Sequence, residues 1–302
     1  MKIYKNFNIS NKFKNAAIAI GNFDGFHLGH QKVIKKGKNL AKKHRLQFGL
    51  LVFHPLPVMF FNKKINNFRI DTLKQKIENS KKLGIDFIII KKFDKNFSKT
   101  SAENFISQII HKKLKAKLIF ISQNFKFGKN RIGNINLLKK KERLFNYKTK
   151  TVDSLTKNKF LISSTLIRKN IKNGKIAFVN KMLGRPWTIE GIVKRGEKRG
   201  RKIGFPTCNL ELGDYVIPKS GVYASKIILN ENSKKKGIVN IGYKPTFGKN
   251  KLLLEAHIFG FKKNLYDKTI KIMLLKFIRN EKKFKNITEL KKQINKDIKV
   301  AK

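Results

Sequence analysis

Acidic side chains are the scarce component of this sequence. Its 302 residues hold 18 Asp and Glu against 71 Lys and Arg, a formal net charge of +53. Cysteine is scarcer still. Cys208 stands alone, which excludes an internal disulfide framework and suits a reducing, intracellular setting. The first fifteen residues are basic and lack the apolar run of a signal peptide. The longest stretch without a charged side chain, Leu46 to Asn62, contains Pro55 and Pro57. It falls short of the roughly 18–20 apolar residues a membrane span needs. The expectation is a soluble cytoplasmic protein with no membrane partner. No internal repeat is visible.

What remains is enough to build a core: 40% of the residues are hydrophobic, and 25 are Phe. The length suggests two domains of roughly 150 residues each. The charge invites a nucleic-acid reading. However, Lys, Ile, Asn and Phe are abundant throughout, their codons are rich in A and T, and the lysines are dispersed rather than gathered in one arm. Compositional bias is the preferred reading, with no specific nucleic-acid partner expected.

The first half alternates short apolar runs with basic helical patterns. Ala16–Phe23, Phe48–Phe53, Phe87–Ile90 and Leu118–Ser122 read as strands. His27–His44, Leu73–Leu83, Ala102–Leu114 and Ser164–Leu183 read as helices. This alternation predicts an α/β domain with a parallel sheet covered on both faces. After Pro186, strands at Thr188–Lys194, Gly221–Leu229, Gly237–Ile241, Leu252–Phe259 and Thr269–Phe277 are separated by Gly-rich turns. They predict a small antiparallel barrel, closed by a C-terminal helix at Ile287–Val300. The boundary is placed at Gly184, giving domains 1–184 and 185–302.

Gly21-Asn22-Phe23-Asp24-Gly25-Phe26-His27-Leu28-Gly29-His30 places a tight turn between a strand and a helix start, where backbone N–H groups can receive an anion. His27 and His30 share one helical face and can donate to one phosphate. A zinc half-site is the alternative, but no Cys or third His is near in sequence. The segment resembles the His-x-Gly-His signature of the nucleotidyltransferases, and more narrowly the bacterial bifunctional riboflavin kinase/FMN adenylyltransferase (FAD synthetase) family. The resemblance implies a Rossmann-like domain. In it His27 and His30 would stabilise departing pyrophosphate, and Gly21, Phe23, Asp24, Gly25 and Gly29 would line the nucleotide.

Ser163-Ser164-Thr165-Leu166-Ile167-Arg168 reads on its own as a helix cap. It is similar to a family run in which Ser164, Thr165 and Arg168 would hold ATP phosphates. Asn124-Phe125-Lys126-Phe127-Gly128 resembles a family loop that shapes the flavin pocket, although the family has Asp where Asn124 stands. That resemblance makes Asn124, Phe125 and Phe127 flavin-binding candidates. In Phe53-His54-Pro55-Leu56-Pro57, Leu56 replaces a family His and receives no role.

The second strong signal is the basic loop from Gly196 through Glu197, Lys198, Gly200 and Gly204 to Phe205-Pro206-Thr207-Cys208-Asn209. Its glycines let backbone approach phosphates. Thr207 and Asn209 offer neutral oxygens suited to Mg²⁺ beside a nucleotide. Gly-Phe-Pro-Thr-x-Asn resembles the riboflavin kinase signature, and Asn240-Ile241-Gly242-Tyr243-Lys244-Pro245-Thr246-Phe247-Gly248 continues the likeness. The family implies Gly196, Gly200 and Gly204 as nucleotide-binding, Thr207 and Asn209 as metal ligands, Glu255 as base for the ribityl hydroxyl, and Arg279 as a flavin contact. Phe261-Lys262-Lys263-Asn264-Leu265-Tyr266-Asp267 departs from the family turn, with Asp267 at a former Gly position. The implied function is ATP- and Mg²⁺-dependent conversion of riboflavin to FMN and then FAD. The alternatives are a protein with one of the two activities or a nucleic-acid binder on the same scaffold.

Overall fold

The computed structural model describes residues 1–157, 160–196, 199–230, 233–246, 249–261 and 263–302. Glu197, Lys198, Phe247, Gly248 and Lys262, quoted in the motifs above, lie outside the described residues. The chain packs as two units: 1–66 with 72–163, and 67–71 with 164–302.

The first unit contains strands β1 (Lys2–Tyr4), β2 (Ala17–Ile20), β3 (Phe48–His54), β4 (Phe87–Lys92), β5 (Leu118–Ile121) and β6 (Lys148–Thr151). They form one sheet in the order β1-β4-β3-β2-β5-β6, with every pairing parallel. Alternate residues feed two cores. Ala17, Ala19, Leu50, Val52 and Phe120 pack with Ile34 and Ala41 of the helix Leu28–Lys43. Ile18, Ile20, Leu51, Ile89 and Ile121 pack on the other face with Phe105, Ile106 and Ile109. A parallel sheet buried on both faces explains why its strands read as unbroken apolar runs. A hairpin of β7 (Thr156–Lys157) and β8 (Phe160–Leu161) follows the sheet.

The second unit holds β9 (Trp187–Lys194), β10 (Cys208–Leu210), β11 (Gly221–Asn230), β12 (Ser233–Thr246), β13 (Lys249–Ile258) and β14 (Thr269–Arg279). These strands close into an antiparallel barrel in the order β10-β13-β12-β11-β14-β9, with β9 pairing back to β10. The terminal helix Ile287–Ala301 is fastened by Arg279, which donates to Asp297 at 2.7–3.0 Å.

Several expected boundaries change for physical reasons. The first inner strand stops at Ile20, because Phe23 takes a left-handed backbone conformation. The expected helix Ser164–Leu183 is two helices, Ser164–Lys172 and Ile176–Leu183, broken where Gly174 adopts φ 71°. The helix from Ala102 widens into a π-helical stretch over Phe105–Lys113. The sequence pattern did not indicate β1, β6 or β10. The first two are edge strands without an unbroken apolar run, and the third is only three residues long.

Residues 67–71 join the second unit. Arg69 N donates to Asp214 O at 2.9 Å, Val216 N donates to Arg69 O at 2.8 Å, and the Trp187 indole donates to Ile70 O at 2.9 Å. The fully buried Asp71 carboxylate takes two bonds of 2.7 Å from Arg185, whose side chain is 25% exposed. Asp71→Ala would remove both of those bonds to the guanidinium. The expected loss is about 2–3 kcal/mol, below the roughly 3–5 kcal/mol for breaking a fully buried pair because part of Arg185 stays in water. A lower urea midpoint for the second unit is the measurement that checks it.

Candidate active site

The sheet order places the switch in chain direction between β2 and β5, where open α/β sheets bind ligands at their carboxyl ends. The loop Gly21–His30 leaves β2 there, and the loop containing Asn124–Gly128 leaves the neighbouring β5. Two of the loops read from the sequence are therefore brought to adjacent strand ends.

His27 caps the helix Leu28–Lys43 by accepting from His30 N at 3.3 Å through Nδ1. A neutral ring that accepts at Nδ1 carries its proton on Nε2, so the bond selects a donor for an incoming oxygen. The His27 and His30 rings stack with centroids 3.7 Å apart, and Phe23 lies 5.0 Å from His30. His27 and Asp24 are both buried. Gly29 makes room for the pair: a Cβ there would sit 3.1 Å from His27 Nδ1 and 3.4 Å from Ile162 O.

Phe127 is buried, with its ring 5.2 Å from Phe105, and it exchanges backbone hydrogen bonds with Gly133. It supports the loop from within. Asn124 is exposed and Phe125 half-buried, with the two phenylalanine rings stacked at 5.7 Å. Leu56 is buried at the start of the helix Pro57–Phe61. Ser164, Thr165 and Arg168 open a helix of the second unit. Arg168 is oriented by Phe68: its Nε donates to Phe68 O at 2.8 Å, and the guanidinium lies 3.8 Å from the Phe68 ring centroid.

On the barrel, Asn209 pairs in register with Glu255 of β13, and Glu255 pairs with Asn240 of β12. Side chains at register positions share one face of a sheet, so three polar groups form a row. Asn209 is buried, and its Oδ1 has no hydrogen-bond partner among the described residues. A Cβ at Gly196 would collide with the Asn209 amide, so the glycine is required for that close approach. Asn240 is held by Glu281 at 3.3 Å. Thr207 is exposed and lines a cavity of about 200 Å³ with Cys208, Arg201 and Tyr266, whereas Asn209 and Glu255 lie outside the cavity wall. Asp267, in the altered turn, has φ 62°, a conformation that Asp tolerates better than most side chains and that glycine adopts freely. Arg279 donates through Nε and Nη2 to Asp297 and through Nη1 to Asn280 O.

Two residues at the first loop were absent from the sequence reading. Lys76 donates to Asn22 O at 2.6 Å, and Gln31 donates to Phe26 O at 2.8 Å. One lysine among so many carries no signal until its burial is seen.

Residues 9–166 match the FAD synthetase family model, and residues 183–302 match the riboflavin kinase family model. The chain belongs to the bifunctional riboflavin kinase/FMN adenylyltransferase family. A member from Buchnera aphidicola subsp. Schizaphis graminum is 45% identical over 95% of this chain and 93% of its own length. The Escherichia coli K12 member is 32% identical over 94% and 91%. A crystal structure of a macrolide-efflux protein from Streptococcus pneumoniae shares the fold with TM-score 0.87 and 27% identity, covering 99% of this chain and 97% of that one. Among the described residues no helix is long and apolar enough to cross a membrane.

Cys208 is the variable position of the Gly-Phe-Pro-Thr-x-Asn run. Burial pushes its thiol up to about 11, and Sγ donates to Ala256 O at 3.5 Å. The unfolded thiol titrates near 8.5. The neutral form therefore contributes stability below about pH 8.5, and that contribution is lost as pH rises toward 11. The expected outcome is slow alkylation by iodoacetamide at pH 8 that accelerates toward pH 11, with rapid labelling of the urea-unfolded chain throughout.

Proposed function

We propose that the chain makes FAD from riboflavin in two ATP-consuming steps, with residues 185–302 phosphorylating riboflavin to FMN and residues 1–184 adenylylating FMN. One observation carries the assignment. Each matched segment holds its own prepared polar group, the stacked His27–His30 pair in one and the Asn209–Glu255–Asn240 row in the other.

In the first step the 5′-hydroxyl oxygen of riboflavin attacks the γ-phosphorus of ATP. Glu255 accepts the hydroxyl proton, the new P–O bond forms, and ADP leaves with the electron pair of the old one. Gly196, Gly200 and Gly204 let the loop backbone approach the phosphates. Among the described residues no group of three His, Cys, Asp or Glu could hold a metal alone. A metal that shares its ligands with nucleotide phosphates fits that pattern. Thr207 and the buried Asn209 Oδ1 would hold Mg²⁺, which when bound neutralises phosphate charge.

In the second step a phosphate oxygen of FMN attacks the α-phosphorus of a second ATP, and pyrophosphate leaves. His27 Nε2 and His30 meet the charge that develops on the leaving group, a preorganised electrostatic role with no covalent intermediate. Gly21, Phe23, Asp24, Gly25 and Gly29 shape the nucleotide loop, and the family resemblance supports Ser164, Thr165 and Arg168 as phosphate-binding candidates. Asn124 and Phe125 face the flavin and Phe127 supports them. Arg279, held by Asp297 of the terminal helix, contacts the flavin of the kinase step.

Chromatography of products from riboflavin, ATP and Mg²⁺ tests the assignment. His27→Ala is expected to accumulate FMN with FAD formation down by at least 100-fold. Glu255→Ala is expected to make FAD from supplied FMN at the parent rate and to lose riboflavin phosphorylation. Loss of both activities in either folded variant would overturn the two-site assignment. Chelation with EDTA is expected to stop both steps, and added Mg²⁺ to restore them.

A further inference from the structure

Two side chains bracket the strained part of the loop after β2. Phe23 and Phe26 have φ 44° and 42°, with Gly25 between them at 86°. That region is unfavourable for bulky residues and persists only where the surroundings impose it. Both rings are buried and stack at 5.9 Å. The peptide that enters the segment is held by Lys76 Nζ on Asn22 O at 2.6 Å. The peptide that leaves it is held by Gln31 Nε2 on Phe26 O at 2.8 Å.

Lys76 is an unusual choice of clamp. The residue is only 4% exposed, and it is the lysine that is buried among the described residues of a strongly basic chain. Removing an ammonium from water is unfavourable unless its bonds compensate. It projects from the helix Leu73–Lys82, whose start is locked by a capping box between Thr72 and Gln75. A cation on the Asn22 carbonyl also polarises that peptide, which strengthens the Phe23 N–H as a donor. Gln31 acts on the peptide that leads directly into His27.

We infer that Lys76 and Gln31 are positioning residues for adenylyl transfer. They hold the Asn22–Phe23 and Phe26–His27 peptides so that the loop amides and the His27 ring face the phosphates in one arrangement. The inference rests on the assignment of adenylyl transfer to this loop. Interactions aligned for the transition state act on kcat more than on substrate binding.

In the full-length protein, Lys76→Met is expected to lower kcat for FMN adenylylation at least tenfold. KM for FMN and the rate of riboflavin phosphorylation should stay within twofold of the parent. Gln31→Leu is expected to act in the same direction by at least fivefold, and it decides the matter alone if Lys76→Met fails to fold. Adenylylation within twofold of the parent in the folded variants, or an equal fall in both activities, would overturn the inference. His27→Ala serves as the reference. If it also retained adenylylation, the site assignment would fail and take this inference with it. If His27→Ala lost activity while both clamp variants kept it, only the inference would fail.

Discussion

The first unit depends on four residues, Ala17–Ile20, hydrogen-bonded to a parallel neighbour on each side. Their alternation of small and large side chains sets the unit's geometry. Ala17 and Ala19 face the helix Leu28–Lys43, while Ile18 and Ile20 fill the opposite core. Small residues on one face leave room for a helix to approach the sheet, and that helix carries the histidine pair at its first turn. The strand end fixes one side of the loop and the helix start fixes the other. The backbone between them has few arrangements left, which is how two phenylalanines come to be held in left-handed conformations.

The barrel depends on an equally small element. Cys208–Leu210 contributes three residues, yet without them β9 and β13 would present open edges. The strand that closes the sheet is also the strand that sets Asn209 opposite Glu255. Closure and the alignment of this polar row are therefore one event, and the glycine at 196 is what permits the Asn209 amide to lie where closure puts it.

Much of this was legible in the sequence because it follows from periodicity and turn chemistry. Unbroken apolar runs marked β2–β5, and Gly-rich turns marked the barrel. The His pair announced itself by its spacing between a strand and a helix. Elements stabilised by long-range pairing were not legible. The strand Lys148–Thr151 carries alternating lysines and is a strand only because β5 lies beside it. Lys76 and Gln31 could not be separated from their many polar neighbours, since their roles arise from distant backbone carbonyls. Arg279 was recognisable as a residue of interest, but its principal partner, Asp297, is a helix away. Scarcity was a better guide than abundance: the few acids recur at structural positions, with Asp71, Asp86, Asp94, Glu142 and Asp297 each accepting from a named donor.

The insertion of residues 67–71 into the second unit gives the chain an order of assembly. This segment leaves the ribosome more than a hundred residues before Arg185 and Trp187, the side chains that satisfy it. During synthesis, Asp71 and the Ile70 carbonyl must wait in water while the residues around them in sequence can already fold. The barrel is thus completed by a piece made early, and a gene fragment that starts after residue 71 would encode every strand of the barrel without the acceptors for Arg185 and the Trp187 indole. Domain borders drawn from sequence matches alone would pass over this dependence, because the missing piece lies inside the other match.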